Sequence, residues 1–316
     1  MLSRAEMRAA SESFRLLFWK SMQAAGGNPD VDLAIATMLM QFPEPEWKAL
    51  YRWFLGLPIM RQWIGDRQAV ELAADGFEVI HRPYEATLIV LEDDIRFDKL
   101  RGYKPAINNL ANELKLLKFR ELLKLVEDAR LGTTYGNCFD GFPLISASHT
   151  TGSNLGTAAL AHASLDAAIA AMVAQHDVLN TGDRLMIRPK YLWYHDALQS
   201  TVEDILDTTV VANVGTSTTH TDVAISNKHH KRLIPLPLPL GGAFAAYWGL
   251  LAERPSADTM GPILWQYTPD GGSFEAMDQP DNEPMFMRRE MLFGISAWGA
   301  IAPGFPQYIW GSDGTT

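Results

Sequence analysis

Cysteine is almost missing from this chain: Cys138 stands alone among 316 residues. An intrachain disulfide is therefore excluded, and assembly in a reducing cytosol is the expectation. Cys138 itself reads as a small buried apolar residue. Long apolar runs are missing too. The longest segments, such as Leu240–Leu251, carry glycines and fall short of the roughly 20 residues that span a bilayer, so no membrane partner is expected. The first turns carry Arg4, Glu6, Arg8, Glu12, Arg15 and Lys20 where a secretory leader would be uniformly apolar. Basic runs are absent as well, and the net charge is −10 at neutral pH. That balance excludes a tight sequence-specific nucleic-acid binder, yet an acidic wall can enclose DNA through weak contacts.

Catalytic signatures are equally thin. There is no phosphate loop, no nucleophile elbow and no dinucleotide fingerprint, so no cofactor is expected. His220, His229 and His230 fit no zinc spacing, and His149 has only Asp140 as a nominal companion. His195-Asp196 lies in a stretch read as helix, where adjacent side chains diverge. Asp278, Asp281 and Glu283 resemble half of a calcium loop but lack its glycine and its spacing, and read as a solvated turn. No catalytic, cofactor or metal residue is assigned. Lysine is missing between Lys48 and Lys99, which matters below.

What is present is core material, 47% hydrophobic residues, in an α+β order. Ser3–Ala25 reads as an amphipathic helix with Phe14, Leu17, Phe18 and Met22 on one side, stopped by Gly26-Gly27. A second helix is expected over Val31–Gln41. Glu46–Leu55 has aromatics at helical spacing that would also suit a turn or strand. Asp75-Gly76 signals a hairpin whose outgoing arm, Phe77–Leu91, would be unusually long and would need a surface for Phe77, Val79, Tyr84, Ala86, Leu88 and Val90. The acidic knot Glu92-Asp93-Asp94 then precedes the longest helical pattern, Pro105–Arg130, a rod of about 39 Å ended by Gly132.

Further along, a helix is expected at Ser164–Gln175, a strand at Arg184–Leu192 interrupted by Pro189, and a helix at Tyr194–Leu206. Pro235, Pro237 and Pro239 exclude Leu233–Leu240 from any central strand. Phe244–Leu251 and Ile263–Tyr267 read as strands, and Met291–Trp310 as two strands with a bend at Pro303-Gly304.

Several runs, in order, resemble the Mu-like phage major head subunit family (gpT): Trp63-Ile64-Gly65-Asp66-Arg67, Tyr84-Glu85-Ala86-Thr87, Glu92-Asp93-Asp94-Ile95, Phe286-Met287-Arg288, Phe293-Gly294 and Trp310-Gly311-Ser312. The resemblance implies the Hong Kong 97 capsid fold. It implies an N-terminal arm (residues 1–60), an extended E-loop hairpin (61–92), a peripheral domain with a long spine helix (93–152), an axial domain (153–279) and a C-terminal return to the peripheral domain (280–316). Residues 210–240 depart from that pattern. It further implies a major capsid protein without enzymatic activity, closing through hexamers and pentamers into an icosahedral head in the host bacterial cytoplasm and residing in the virion. Implied partners are other copies of the chain, portal, scaffold or protease, decoration proteins and packaged double-stranded DNA. Candidate contacts between copies are Phe77, Val79, Tyr84 and Leu88 on the hairpin and Phe14 and Phe18 on the arm. Two rivals are an encapsulin-like cargo shell and a hydrolase using His149 or His220 with His229.

Overall fold

The computed structural model describes residues 4–24, 28–51, 77–96, 102–176, 184–185, 187–213, 223–254, 261–269, 272–277 and 282–315. In chain order the elements are α1 (Arg4–Ala24), α2 (Pro29–Met38), β1 (Leu39–Pro43), β2 (Lys48–Tyr51), β3 (Phe77–Ile80), β4 (Arg82–Leu91), α3 (Glu92–Arg96) and α4 (Lys104–Asp128). Then come β5 (Leu155–Gly156), α5 (His162–Val173), β6 (Pro189–His195), α6 (Gln199–Leu206), β7 (Val210–Asn213), β8 (Val223–Ser226), β9 (Ile234–Leu238) and β10 (Trp248–Ala252). The chain closes with β11 (Ile263–Tyr267), β12 (Ser273–Met277), α7 (Glu283–Arg288), β13 (Glu290–Pro303) and β14 (Ile309–Ser312).

Two five-stranded sheets organise these elements. In the first, β13 is the long central strand: β4 pairs along one side, while β12 and β11 follow one another along the other, with β1 parallel to β11 outside them. The second runs β5-β14-β10-β6-β9. Its outer strand β9 carries Pro235 and Pro237 two residues apart, so both missing N–H groups fall on the same side of the strand, an arrangement that an edge position tolerates. α4 braces both sheets. Its first half puts Ile107, Leu110 and Ala111 into a core with Phe14, Phe18, Phe293 and Ile295. Its second half puts Phe119, Leu122, Leu125 and Val126 among Trp265 and Ile301 of the first sheet and Trp193 and Leu251 of the second. α5 and α6 cover the second sheet through Leu165, Met172, Val202 and Ile205.

The end of α4 shows how local chemistry sets a boundary. Leu131 and Gly132 donate backbone N–H groups to Asp128 O, and Gly132 takes a φ of 62° that suits glycine. The Asp128 carboxylate then accepts from the amides of Thr133, Thr134 and Tyr135 and from the Thr133 hydroxyl. Burial opposes its ionisation, but those donors outweigh it and hold its pKa below the ordinary value. A depressed carboxylate stabilises the fold at neutral pH, and that stability is lost as pH falls through the lowered pKa. Asp128→Ala is expected to cost about 2 kcal/mol, read as a lower urea midpoint at unchanged slope.

Several expectations need correction. Phe77–Leu91 is not one arm: it breaks at His81, whose N–H donates to Trp47 O and whose Nε2 lies 3.1 Å from Glu44 O. β3 pairs with β2, Tyr51 opposite Phe77, so Glu46–Leu55 supplies a strand. β4, placed in the hairpin at 61–92, is bonded along its length to β13, from Leu91 opposite Glu290 to Arg82 opposite Gly299. Arg67–Ala74 and the Asp75-Gly76 turn lie outside the described residues.

α2 ends at Met38, short of Gln41, because Leu39–Pro43 pairs with β11 and strand pairing overrides helix propensity. Tyr194 and His195 complete β6, which delays α6 to Gln199. β11 and β12, assigned to 153–279, join the first sheet, and β14, assigned to the return at 280–316, joins the second. Among the described residues the chain crosses between the two five-stranded sheets three times, at β5, β11 and β14. Within 210–240, β7 and β8 form an antiparallel pair, and β9 follows at the sheet edge.

Candidate assembly surfaces

The six candidate contacts face this chain's own interior. Phe14 stacks on Phe293 with ring centroids 4.6 Å apart, and Phe18 meets Phe274 at 5.1 Å. Val79 is buried with Ala49, Tyr51 and Leu264, and Phe77 packs on the same group. Leu88 lies against the core of α1, α4 and β13. Tyr84 is half-buried; burial, and then the charge of Glu121, pushes its phenol pKa up and keeps it neutral. The side chains open to solvent are of the opposite strand parity, because a strand turns successive residues to opposite faces.

Those outward positions are Leu50 and Ile80 on the β2–β3 pair and Ile89 and Leu91 on β4. Trp47 packs edge-on against Trp298 at 5.1 Å, and both remain exposed. On the helices, Leu16 and Trp19 of α1 and Phe286 and Met287 of α7 are exposed. A signal for part of this set was present in the sequence. Leu88–Leu91 is apolar at four consecutive positions, which marks a strand with both faces destined for cover.

The candidate chemistry resolves differently. His149 and Asp140 do meet: Nδ1 lies 2.7 Å from Oδ2, with Nε2 3.3 Å from Leu144 O. Both ring nitrogens are thereby engaged and the side chain is buried, so the pair clasps the loop after α4 and offers no free base to a serine. His195 Nδ1 accepts from Ala197 N–H, a turn role. His220, Asp278 and Asp281 lie outside the described residues. Among the described residues no group of three or more His, Cys, Asp and Glu side chains is placed to hold a metal ion. Cys138 is buried, which pushes its thiol pKa up. No described helix is long and apolar enough to cross a membrane.

His229 is fully buried, stacked on His162 at 5.5 Å, with Asp166 Oδ1 3.4 Å from Nε2. Burial, the largest influence, lowers its pKa, and His162, Lys228 and Arg232 add to that against the opposing pull of Asp166. A histidine depressed in the folded state contributes stability above its unfolded pKa of about 6.5, lost as pH falls toward the folded value. The melting temperature is expected to fall between pH 7 and 5.5, and His229→Gln should flatten that slope. An equal slope in the variant would assign the acid sensitivity elsewhere.

Comparison with known proteins adds the missing context. The family described as Mu-like prophage major head subunit gpT matches residues 11–160, and the phage capsid protein family matches residues 86–309. The major capsid protein of Escherichia phage Mu is 25% identical over 99 residues, and the match spans 31% of this chain and 31% of that relative. A chain of the bacteriophage JBD30 procapsid superposes with a TM-score of 0.54 at 20% identity, covering 98% of this chain and 76% of that one. That likeness establishes the α+β fold as the Hong Kong 97 type of phage capsids. With a match over residues 86–309, spanning strands of both sheets and the whole of α4, the chain belongs to the phage capsid protein family.

Proposed function

We propose that the chain is the major capsid protein of a tailed double-stranded DNA phage or Mu-like prophage, closing through hexamers and pentamers into an icosahedral head. The family match across residues 86–309 carries this reading. In it, the first sheet with α4 forms the peripheral domain, the second sheet with α5 and α6 forms the axial domain, and β2–β3 is the base of the E-loop. Portal, scaffold or protease, and decoration proteins are its partners, assembly takes place in the host cytoplasm, and the chain itself is not an enzyme. A net charge of −10 keeps contact with packaged DNA weak, as packaging requires.

Cohesion is non-covalent in this reading, because no lysine lies between Lys48 and Lys99 to begin a cross-link from the E-loop. Particles isolated from lysed host cells and treated with nuclease are expected to retain genomic DNA, and boiling in detergent should release single chains. Retention of a protein cargo in place of DNA would move the assignment to an encapsulin-like shell. A ladder of covalently linked chains would refute the non-covalent account.

A further inference from the structure

The loop between β8 and β9, Asn227–Arg232, is gripped from two sides by different chemistry. On the α6 side the grip is neutral. Asn227 is buried, its Nδ2 donates to Ile205 O and Thr208 O at 2.7 Å each, its N–H donates to Thr209 O, and Lys231 N–H donates to Leu206 O. On the α5 side the contacts are ionisable: His229 stacks on His162, and Lys228 pairs with Asp166. The same loop is the base of the β7–β8 pair, which bonds to neither five-stranded sheet. Lys231 takes a φ of 52°, a left-handed position strained for a lysine, so the loop keeps its shape only while both sides hold.

Histidine is a poor wedge on structural grounds alone. His229 is fully buried, yet neither ring nitrogen has a hydrogen-bond partner in the chain. Burying an unbonded polar ring is destabilising, and a phenylalanine would fill the place and stack on His162 without that penalty. What histidine adds is a proton taken up between about pH 5 and 8. The groups around the ring disfavour that charge. His162 of α5 and Lys228 and Arg232 of the loop itself oppose it, while Asp166 of α5 lies 3.4 Å from Nε2, outside hydrogen-bond geometry, and is already paired through its other oxygen with Lys228. Burial, the largest influence, also lowers the pKa, so the docked ring is held neutral.

We propose that the His162–His229 contact is an acid-released joint: at neutral pH it holds the Asn227–Arg232 loop, and with it the base of β7–β8, on α5, and in acid His229 takes a proton and the loop lets go. The release is local and reversible, and it precedes any opening of the sheet beneath. It does not depend on the shell-subunit reading. A released ring titrates near the ordinary value of about 6.5 while the docked ring stays neutral, so docking is favoured above that value and the open fraction rises about tenfold between pH 7.5 and 5.5.

Hydrogen exchange of the full chain at pH 7.5 and 5.5 tests the joint, with each rate divided by that of an unstructured peptide at the same pH. Peptides covering residues 227–233 are expected to exchange about tenfold faster at pH 5.5 on that scale, while peptides covering β6 and β10 keep their protection. His229→Phe keeps a ring on His162 and loses the proton, so its loop is expected to exchange equally at the two pH values. Should His229→Phe fail to fold, His229→Gln takes its place with the same expected result. A wild-type loop with unchanged protection overturns the proposal, as does a variant loop that still opens in acid. Loss of protection in β6 and β10 in step with the loop also overturns it, because the acid response would then be global.

Discussion

Gly249→Val is expected to cost about 4 kcal/mol or more and to lower the melting temperature by roughly 10 °C, or to leave the chain insoluble. Gly249 lies in β10, the central strand of the second sheet, between Trp193 of β6 and Gly311 of β14. A Cβ there would sit 2.6 Å from the Trp193 ring and against the Trp310 carbonyl. Neither neighbour can retreat easily. Trp193 is fully buried in the core shared by both sheets, and the carbonyl belongs to the backbone of β14. Overpacking usually costs about 1–3 kcal/mol, and contact with fixed backbone exceeds that range. Gly242→Ala is the control, since a Cβ there meets nothing within 4 Å. A Gly249→Val chain that melts within about 2 °C of wild type would show that the central strands are not packed as described.

The second large effect is expected from Phe293→Ala. Phe293 is buried at the centre of the first sheet's core, stacked on Phe14 and within 6.3 Å of the Phe274 ring. Truncating a buried phenylalanine costs about 3–5 kcal/mol, the transfer free energy plus the cavity left behind. Here the loss also removes the surface on which α1 lies. Trypsin is therefore expected to cut at Arg8, Arg15 and Lys20 at least tenfold faster in the variant, equivalent to about 1.4 kcal/mol less protection of α1. Global unfolding would expose all sites together, so cleavage confined to α1 distinguishes local undocking. Unchanged cleavage at those sites would mean that α1 is held by something other than Phe14 and Phe18.

The sequence disclosed elements governed by short-range chemistry. Ile263–Tyr267 forms a strand over its full predicted span, the bend at Pro303-Gly304 separates β13 from β14, and β9, with Pro235 and Pro237 inside it and Pro239 just after, lies at an edge. α4 is legible because one apolar face persists over seven turns and Gly132 ends it in a left-handed turn. What escaped depends on partners distant in sequence. Nothing local in Phe77–Leu91 tells that its first four residues pair with Lys48–Tyr51 and the rest with Glu290–Gly299. The face of a strand is equally ambiguous: Phe77 and Val79 could look inward only once β2 and the core beneath it were in place. For the same reason the exposed set, Ile80, Ile89, Leu91 and Phe286, was not chosen from periodicity. The His149–Asp140 contact was visible as a pair of residue types, but its role as a loop clasp depended on Leu144 O closing off the second ring nitrogen.

Self-assembly is the central claim, and negative-stain electron microscopy of the purified full-length chain tests it most directly. Closed polyhedra or capsomer rings are the predicted result. A monodisperse monomer at every protein concentration and ionic strength tried would contradict it.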